Sequence, residues 1–184
     1  MKSVTVWAGG IVLLVAAWGV TQIPAGQALT ESSFVQSVDV GDRAVGRQMA
    51  VTVTDVAAAE RISDEVGWAA DGAWVVVDVS VEAVNTEEGA VLGLATLLID
   101  GDTYRASERP VSLLGKALQV GTPKTGSIAF ELPAGMRDGT AVIRFTVSDR
   151  DWRLDSVVEF TVDLGSLRWD DERELAPLAG GGGV

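Results

Sequence analysis

Any chemistry this chain performs has to be done without histidine and without cysteine, because the sequence contains neither. Without histidine it lacks the side chain that most often serves as general base, proton shuttle and metal ligand near neutral pH. Without cysteine it lacks thiol nucleophiles, thiolate metal sites and a point for N-terminal lipid attachment. Two catalytic schemes survive: a serine activated by a lysine, and a pair of carboxylates. Lys116 and Lys124 lie near Ser112 and Ser127, but no Ser-x-x-Lys spacing or tight elbow frames a serine. Carboxylates abound, with 26 Asp and Glu, yet a sugar-cleaving pair needs an aromatic-lined cleft and the chain has one tyrosine and four phenylalanines. No catalytic, cofactor-binding or metal-ligating residue is therefore assigned, and no cofactor is expected. The chain reads as a non-enzyme, with a carboxylate-dependent enzyme as the outermost alternative.

Two acidic turns bear on calcium, which takes about six to eight oxygen ligands. Asp100-Gly101-Asp102 and Asp149-Arg150-Asp151 are short, and neither has the spaced acids and closing glutamate of a calcium loop. An aspartate in such a turn ordinarily hydrogen-bonds its own backbone. Both therefore read as surface turns, with weak calcium binding left open. Tryptophans carry the binding chemistry that remains. Trp68 and Trp74 flank Asp71-Gly72, and Trp152 follows Asp151; such rings fill a core or, when exposed, stack on sugars and anchor partners. Trp74 reads as core, Trp68 as evenly divided, and the segment Ser63–Asp71 as the first loop to search for binding.

The elements that would position these groups come after a segment of a different kind. Between Val4 and Val20 the chain carries no charge, and extension through Ile23 makes the run long enough to cross a bilayer, about 20 residues. Lys2 before it and Glu31, Asp39 and Asp42 after it orient the N-terminus inward, and Trp18 suits the outer interface. Residues 1–28 thus read as a signal anchor retained as a single-pass helix. Cleavage near Ala28 is the alternative, because Pro24 ends the helix and Gly26-Gln27-Ala28 offers the small residues a signal peptidase reads. Either way, the rest of the chain is delivered outside the cytoplasm. A disulfide-free domain of roughly 150 residues is large enough to fold without staples. The net charge of −12 favours solubility and opposes nucleic acid and anionic lipid headgroups.

Beyond the linker at 29–33, apolar residues alternate with a period of two. Val75, Val77, Val79, Val81 and Ala83 share one face, opposite Asp78, Ser80 and Glu82. Ile128, Phe130 and Leu132 do the same before Pro133, as do Ile143, Phe145 and Val147, and then Val158, Phe160, Val162 and Leu164. A further run at Met49, Val51 and Val53 continues through Ala57–Ile62. Val91–Ile99, apolar on both faces, reads as an interior strand. Turn signals separate the runs at Gly41-Asp42, Asp71-Gly72, Asn85–Gly89, Asp100–Asp102, Glu108–Pro110, Gly121–Pro123, Asp138-Gly139 and Asp149–Asp151. About seven to nine short strands at this spacing predict an all-β, antiparallel β-sandwich over 34–165, preceded by one N-terminal hydrophobic helix. Residues 166–184 read as an acidic, Gly-rich C-terminal tail. Within it, Trp169 either folds back onto the sandwich or belongs to a docking peptide.

At Trp74–Val84, Asp100–Ser107 and Leu118–Pro133 the chain resembles a known family. AWVVVDVSVEAVN, LLIDGDTYRAS and VGTPKTGSIAFELP are similar to segments of the bacterial extracytoplasmic immunoglobulin-like domains of unknown function related to the mycobacterial immunoprotective extracellular antigen. The likeness covers roughly 35–165. It implies an extracytoplasmic immunoglobulin-like sandwich, attached by a lipid or a single helix, with no site residues to carry over. The lipid-anchor cysteine of many relatives is missing here.

Taken together, the sequence predicts a non-catalytic extracytoplasmic interaction module on the cell membrane, tethered by its N-terminal helix. Its expected partners are the membrane and a protein at the outer face, with no nucleic acid. Contact through loops or by strand addition to a sheet edge is expected. A freely secreted domain that binds sugar or peptide is the alternative.

Overall fold

The computed structural model describes residues 35–85, 90–147 and 157–180. The N-terminal segment 1–28 with its expected helix, most of the turn at 85–89, the turn at 149–151 and Trp152 lie outside the described residues. Among the described residues no helix is long and apolar enough to cross a membrane.

Strands account for nearly all the regular structure: β1 (Val35–Val38), β2 (Arg43–Val45), β3 (Met49–Ser63), β4 (Ala69–Ala83), β5 (Ala90–Val91), β6 (Leu94–Ile99), β7 (Asp102–Arg105), β8 (Ala117–Leu118), β9 (Lys124–Leu132), β10 (Thr140–Thr146), β11 (Val157–Asp163), β12 (Trp169–Asp170) and β13 (Arg173–Glu174). One sheet has five strands in the order β1-β11-β10-β6-β7. The other runs β12-β3-β4-β9, with β2 and β13 also paired to β3, and β5 and β8 form a small ribbon. The main pairings are antiparallel; β1 joins β11, and β12 and β13 join β3, in parallel.

The period-two faces produce the core. Val75, Val77, Val79 and Val81 of β4 and Ile128, Phe130 and Leu132 of β9 belong to one buried cluster with Ala95, Leu97 and Ile99 of β6. Ile143 and Phe145 of β10 and Val158, Phe160 and Val162 of β11 complete it, with Phe145 and Phe160 edge-to-face at 6.0 Å. Asp100 (φ 50°) and Gly101 (φ 93°) turn β6 into β7. Two successive left-handed residues are what a tight two-residue hairpin needs.

Four expectations need correction. Val91–Ile99 is not one strand: β5 ends at Val91 and β6 begins at Leu94, since Gly93 donates instead to the Thr146 carbonyl. Asp71-Gly72 is not a turn but part of β4, at a bulge where the pairing steps from Ala59–Trp74 to Arg61–Asp71. An inserted residue bends a strand without ending it. The outward residues Ser127 and Ala129 are buried rather than wet, because the far half of the β3–β4 hairpin and the C-terminal segment cover them.

That C-terminal segment differs most from its expected form. Residues 169–179 do not form a free tail. Trp169 and Asp170 pair with Ala58 and Ala59, Arg173 and Glu174 pair with Ile62 and Ser63, and Ala179 exchanges both main-chain hydrogen bonds with Thr125 of β9. Leu175 is buried with Ile62, Trp74, Val76 and Ala129, while Leu178 packs on the inter-sheet core beside Gly126. The segment is a strap, tied at β3 and again at β9.

Candidate functional site

The loop singled out in the sequence, Ser63–Asp71, is shorter than expected, with Ser63 ending β3 and Ala69–Asp71 opening β4. Only residues 64–68 form the turn, closed by Asp64 N–H donating to the Trp68 carbonyl at 2.9 Å. Asp64 holds the turn through its side chain as well. One carboxylate oxygen accepts from the Val66 and Trp68 N–H groups at 3.1 and 2.8 Å, and the other from Val111 N–H at 3.0 Å. The Val111 hydrogen bond is the chief cause that sets the Asp64 carboxyl below the usual range; burial opposes it, and the local N–H donors assist. Asp64 therefore fastens the hairpin tip to the loop 107–116.

Above this junction the two tryptophans meet. Trp68 and Trp74 stand edge-to-face at 6.1 Å, and the Arg109 guanidinium lies 5.8 Å from the first ring and 5.5 Å from the second. Arg109 also pairs with Glu131. Trp74 is fully buried, but on the outer face of its sheet rather than between the sheets. Trp68 is half-buried against it. The rings thus form a braced platform, and Val66 at the hairpin tip remains 70% exposed.

The loop that Asp64 anchors forms one wall of a cleft of about 440 Å3. Gly93, Leu94 and Ala95 at the start of β6 and Arg105 and Ala106 at the end of β7 line it, facing Glu108, Pro110 and Lys116. Buried Leu113 and Gly115 N–H, which donates to the Leu92 carbonyl at 2.9 Å, keep the wall in place. The cleft lies beside β7, an outer strand of the five-stranded sheet. Strand edges and clefts of this kind take extended peptides. In the sequence Glu108–Pro110 reads only as a turn, and nothing in the residue types distinguishes this loop from any other.

The serines tested for catalysis are engaged in holding structure. Ser112 Oγ accepts from Leu114 N–H at 3.3 Å. Ser127 Oγ donates to Asp78 at 2.5 Å and accepts from Ala176 N–H at 2.7 Å. Asp78 and Asp55 both receive Arg173 at 2.7 Å. Burial works against the Arg173 charge, but its hydrogen bonds to Asp55 and Asp78 and their negative charges outweigh that and raise its pKa. Of the two acidic turns, Asp100 and Gly101 are the centre of the β6–β7 hairpin and Asp102 opens β7. Among the described residues no group of three or more acidic side chains is arranged to hold a metal ion.

No protein-family model matches the sequence, and no curated protein matches it. Among solved structures, an uncharacterized β-sandwich protein from Clostridium difficile 630 matches with a TM-score of 0.50 at 11% identity. The match covers 72% of this chain and 97% of that one. The fold is a β-sandwich. At such low identity the likeness shows the arrangement of strands and nothing of a ligand, so the cleft and platform of this sandwich stand on their own geometry.

Proposed function

We propose that the chain is a non-catalytic extracytoplasmic interaction module that receives an extended segment of a partner protein. The observation that carries this reading is the cleft beside β7, walled by a loop that Asp64, Leu113 and Gly115 hold rigid. Its rim mixes Arg105, Glu108 and Lys116, while its floor includes small residues whose main chain a peptide can approach. A rigid wall lowers the ordering cost of binding. Residues 1–28 are the proposed tether, a single-pass helix with its N-terminus inside and the sandwich outside. The reading includes distant kinship with the immunoglobulin-like extracytoplasmic domains, which the β-sandwich architecture supports.

Gly26-Gln27-Ala28 favours a second reading, in which cleavage releases a freely secreted binding domain. Membrane fractionation with N-terminal sequencing separates the two. The tethered module stays with the membrane with residues 1–28 intact, whereas a chain beginning at Leu29 in the medium removes the tether. Chemical crosslinking and pull-down from intact cells tests the interaction itself. A partner band that Lys116→Glu with Arg105→Glu abolishes is expected; a band unchanged by both substitutions places binding elsewhere.

A further inference from the structure

A second cleft, sharing no residue with the first, lies between the β3–β4 hairpin and the turn after β9. It holds about 280 Å3 and is lined by Glu60, Gly72, Ala73, Ala134, Gly135, Arg137 and Trp169. Its lining contains no leucine, isoleucine, valine or phenylalanine, so it has no walls for a greasy ligand. Its two charges are of opposite sign and paired, Arg137 to Glu60 at 2.5 Å, so neither a cation nor an anion is favoured. What it offers is an indole, a planar donor beside a planar acceptor, and exposed backbone at Gly135 and Ala134.

One buried polar atom points the same way. Among the described residues, the buried side-chain nitrogen or oxygen atoms with no hydrogen-bond partner are Trp74 Nε1 and Trp169 Nε1. A buried N–H without an acceptor is destabilising, so each calls for an explanation. Of the two, Trp74 is fully buried and outside the lining of this cleft. Trp169 lines it, and Trp74 Nε1 lies directly under Gly72, where a Cβ would come within 2.9 Å of it. The Trp169 ring is covered by the Arg137 guanidinium at 4.5 Å. That cover is easily moved. The Arg137–Glu60 pair is exposed on both sides (53% and 56%), and an exposed ion pair, even with stacking on a ring, holds a side chain only weakly.

We infer that this cleft is a saccharide subsite for about one or two sugar rings. A sugar ring has an apolar C–H face to lie on Trp169 in place of Arg137. Its hydroxyls serve as acceptors for the indole N–H and Arg137, and as donors to Glu60. Neutral, oxygen-rich and flat on one side, it matches a lining that is neither greasy nor net charged.

The test uses soluble tetrasaccharides of β-1,4-linked N-acetylglucosamine and of α-1,4-linked glucose, titrated against the whole chain with tryptophan emission and calorimetry. Saturable binding to at least one, with a Kd in the range of about 0.1–10 mM, is expected. Trp169→Phe keeps the stacking surface but loses the N–H, and should weaken binding about tenfold. Ala134→Trp, at an exposed turn position, fills the cleft without touching the core and should abolish binding while the melting curve stays unchanged. Absence of saturable binding to either tetrasaccharide, or binding that both variants leave intact, overturns the proposal. Neither outcome bears on the peptide cleft, which shares no residue with this one.

Discussion

Asp64 shows how much one side chain can hold. Three main-chain N–H groups from two separate loops converge on its carboxylate, and a carboxylate accepting several such bonds is stabilised in its charged form. Its folded-state pKa lies below the unfolded one. Its stabilisation is therefore complete above the ordinary carboxylate range and is lost as the pH falls through the depressed folded value. We predict that the urea midpoint of the native chain falls below about pH 4. Asp64→Asn should start from a lower midpoint at neutral pH and lack that part of the decline. Parallel pH profiles for the two proteins would argue against the anchoring role. The sequence showed Asp64 only as one acid in SDEVGWAAD. Its role depends on Val111, 47 positions away, and no local pattern announces such a partner.

At the scale of elements, the alternating strands were legible because each period-two face stays on one side. Val75–Val81, Ile128–Leu132 and Val158–Val162 all turned their apolar face to the core. Asp100-Gly101 was legible for a different reason, a conformation that glycine alone adopts freely. Gly101→Val should cost about 1–2 kcal/mol in chemical denaturation, and no loss would mean the turn tolerates another geometry. That Trp169 folds back onto the sandwich was one of the two readings of the sequence, but the rest of the strap was not legible. Its acids and glycines suggest a solvated tail, while its pairing with β3 depends on an edge that appears only after the sheet has formed. Leu175→Ala should cost about 2–5 kcal/mol, since Leu175 is 2% exposed, and equilibrium unfolding measures it. Arg173→Leu should also destabilise, by about 1–3 kcal/mol, because it leaves Asp55 and Asp78 facing each other. A strap that is merely a loose tail would make both changes neutral.

At the scale of the molecule, the strap also shapes where a partner can bind. It occupies the edge of β3 in series with β2 and meets β9 at Thr125, while Ser107 donates to the Ala129 carbonyl farther along β9. Covered edges resist strand addition. Of the outer strands β1 and β7, the proposed module takes an extended segment at β7, where the cleft lies. The all-β class was readable from the chain because it needs only the spacing of apolar residues. The cleft was not, because its walls come from β6, β7 and the loop 107–116, brought together by distant contacts.

Site-specific photo-crosslinking in intact cells tests the proposed peptide cleft most directly. A photoreactive residue replaces Lys116 at the cleft rim, or Asp42 on the turn before β2 at the far side of the other sheet. A discrete partner adduct is expected from position 116, reduced by Arg105→Glu, and none from position 42. Equal adducts from both positions, or none from position 116, would contradict a partner seated in the cleft.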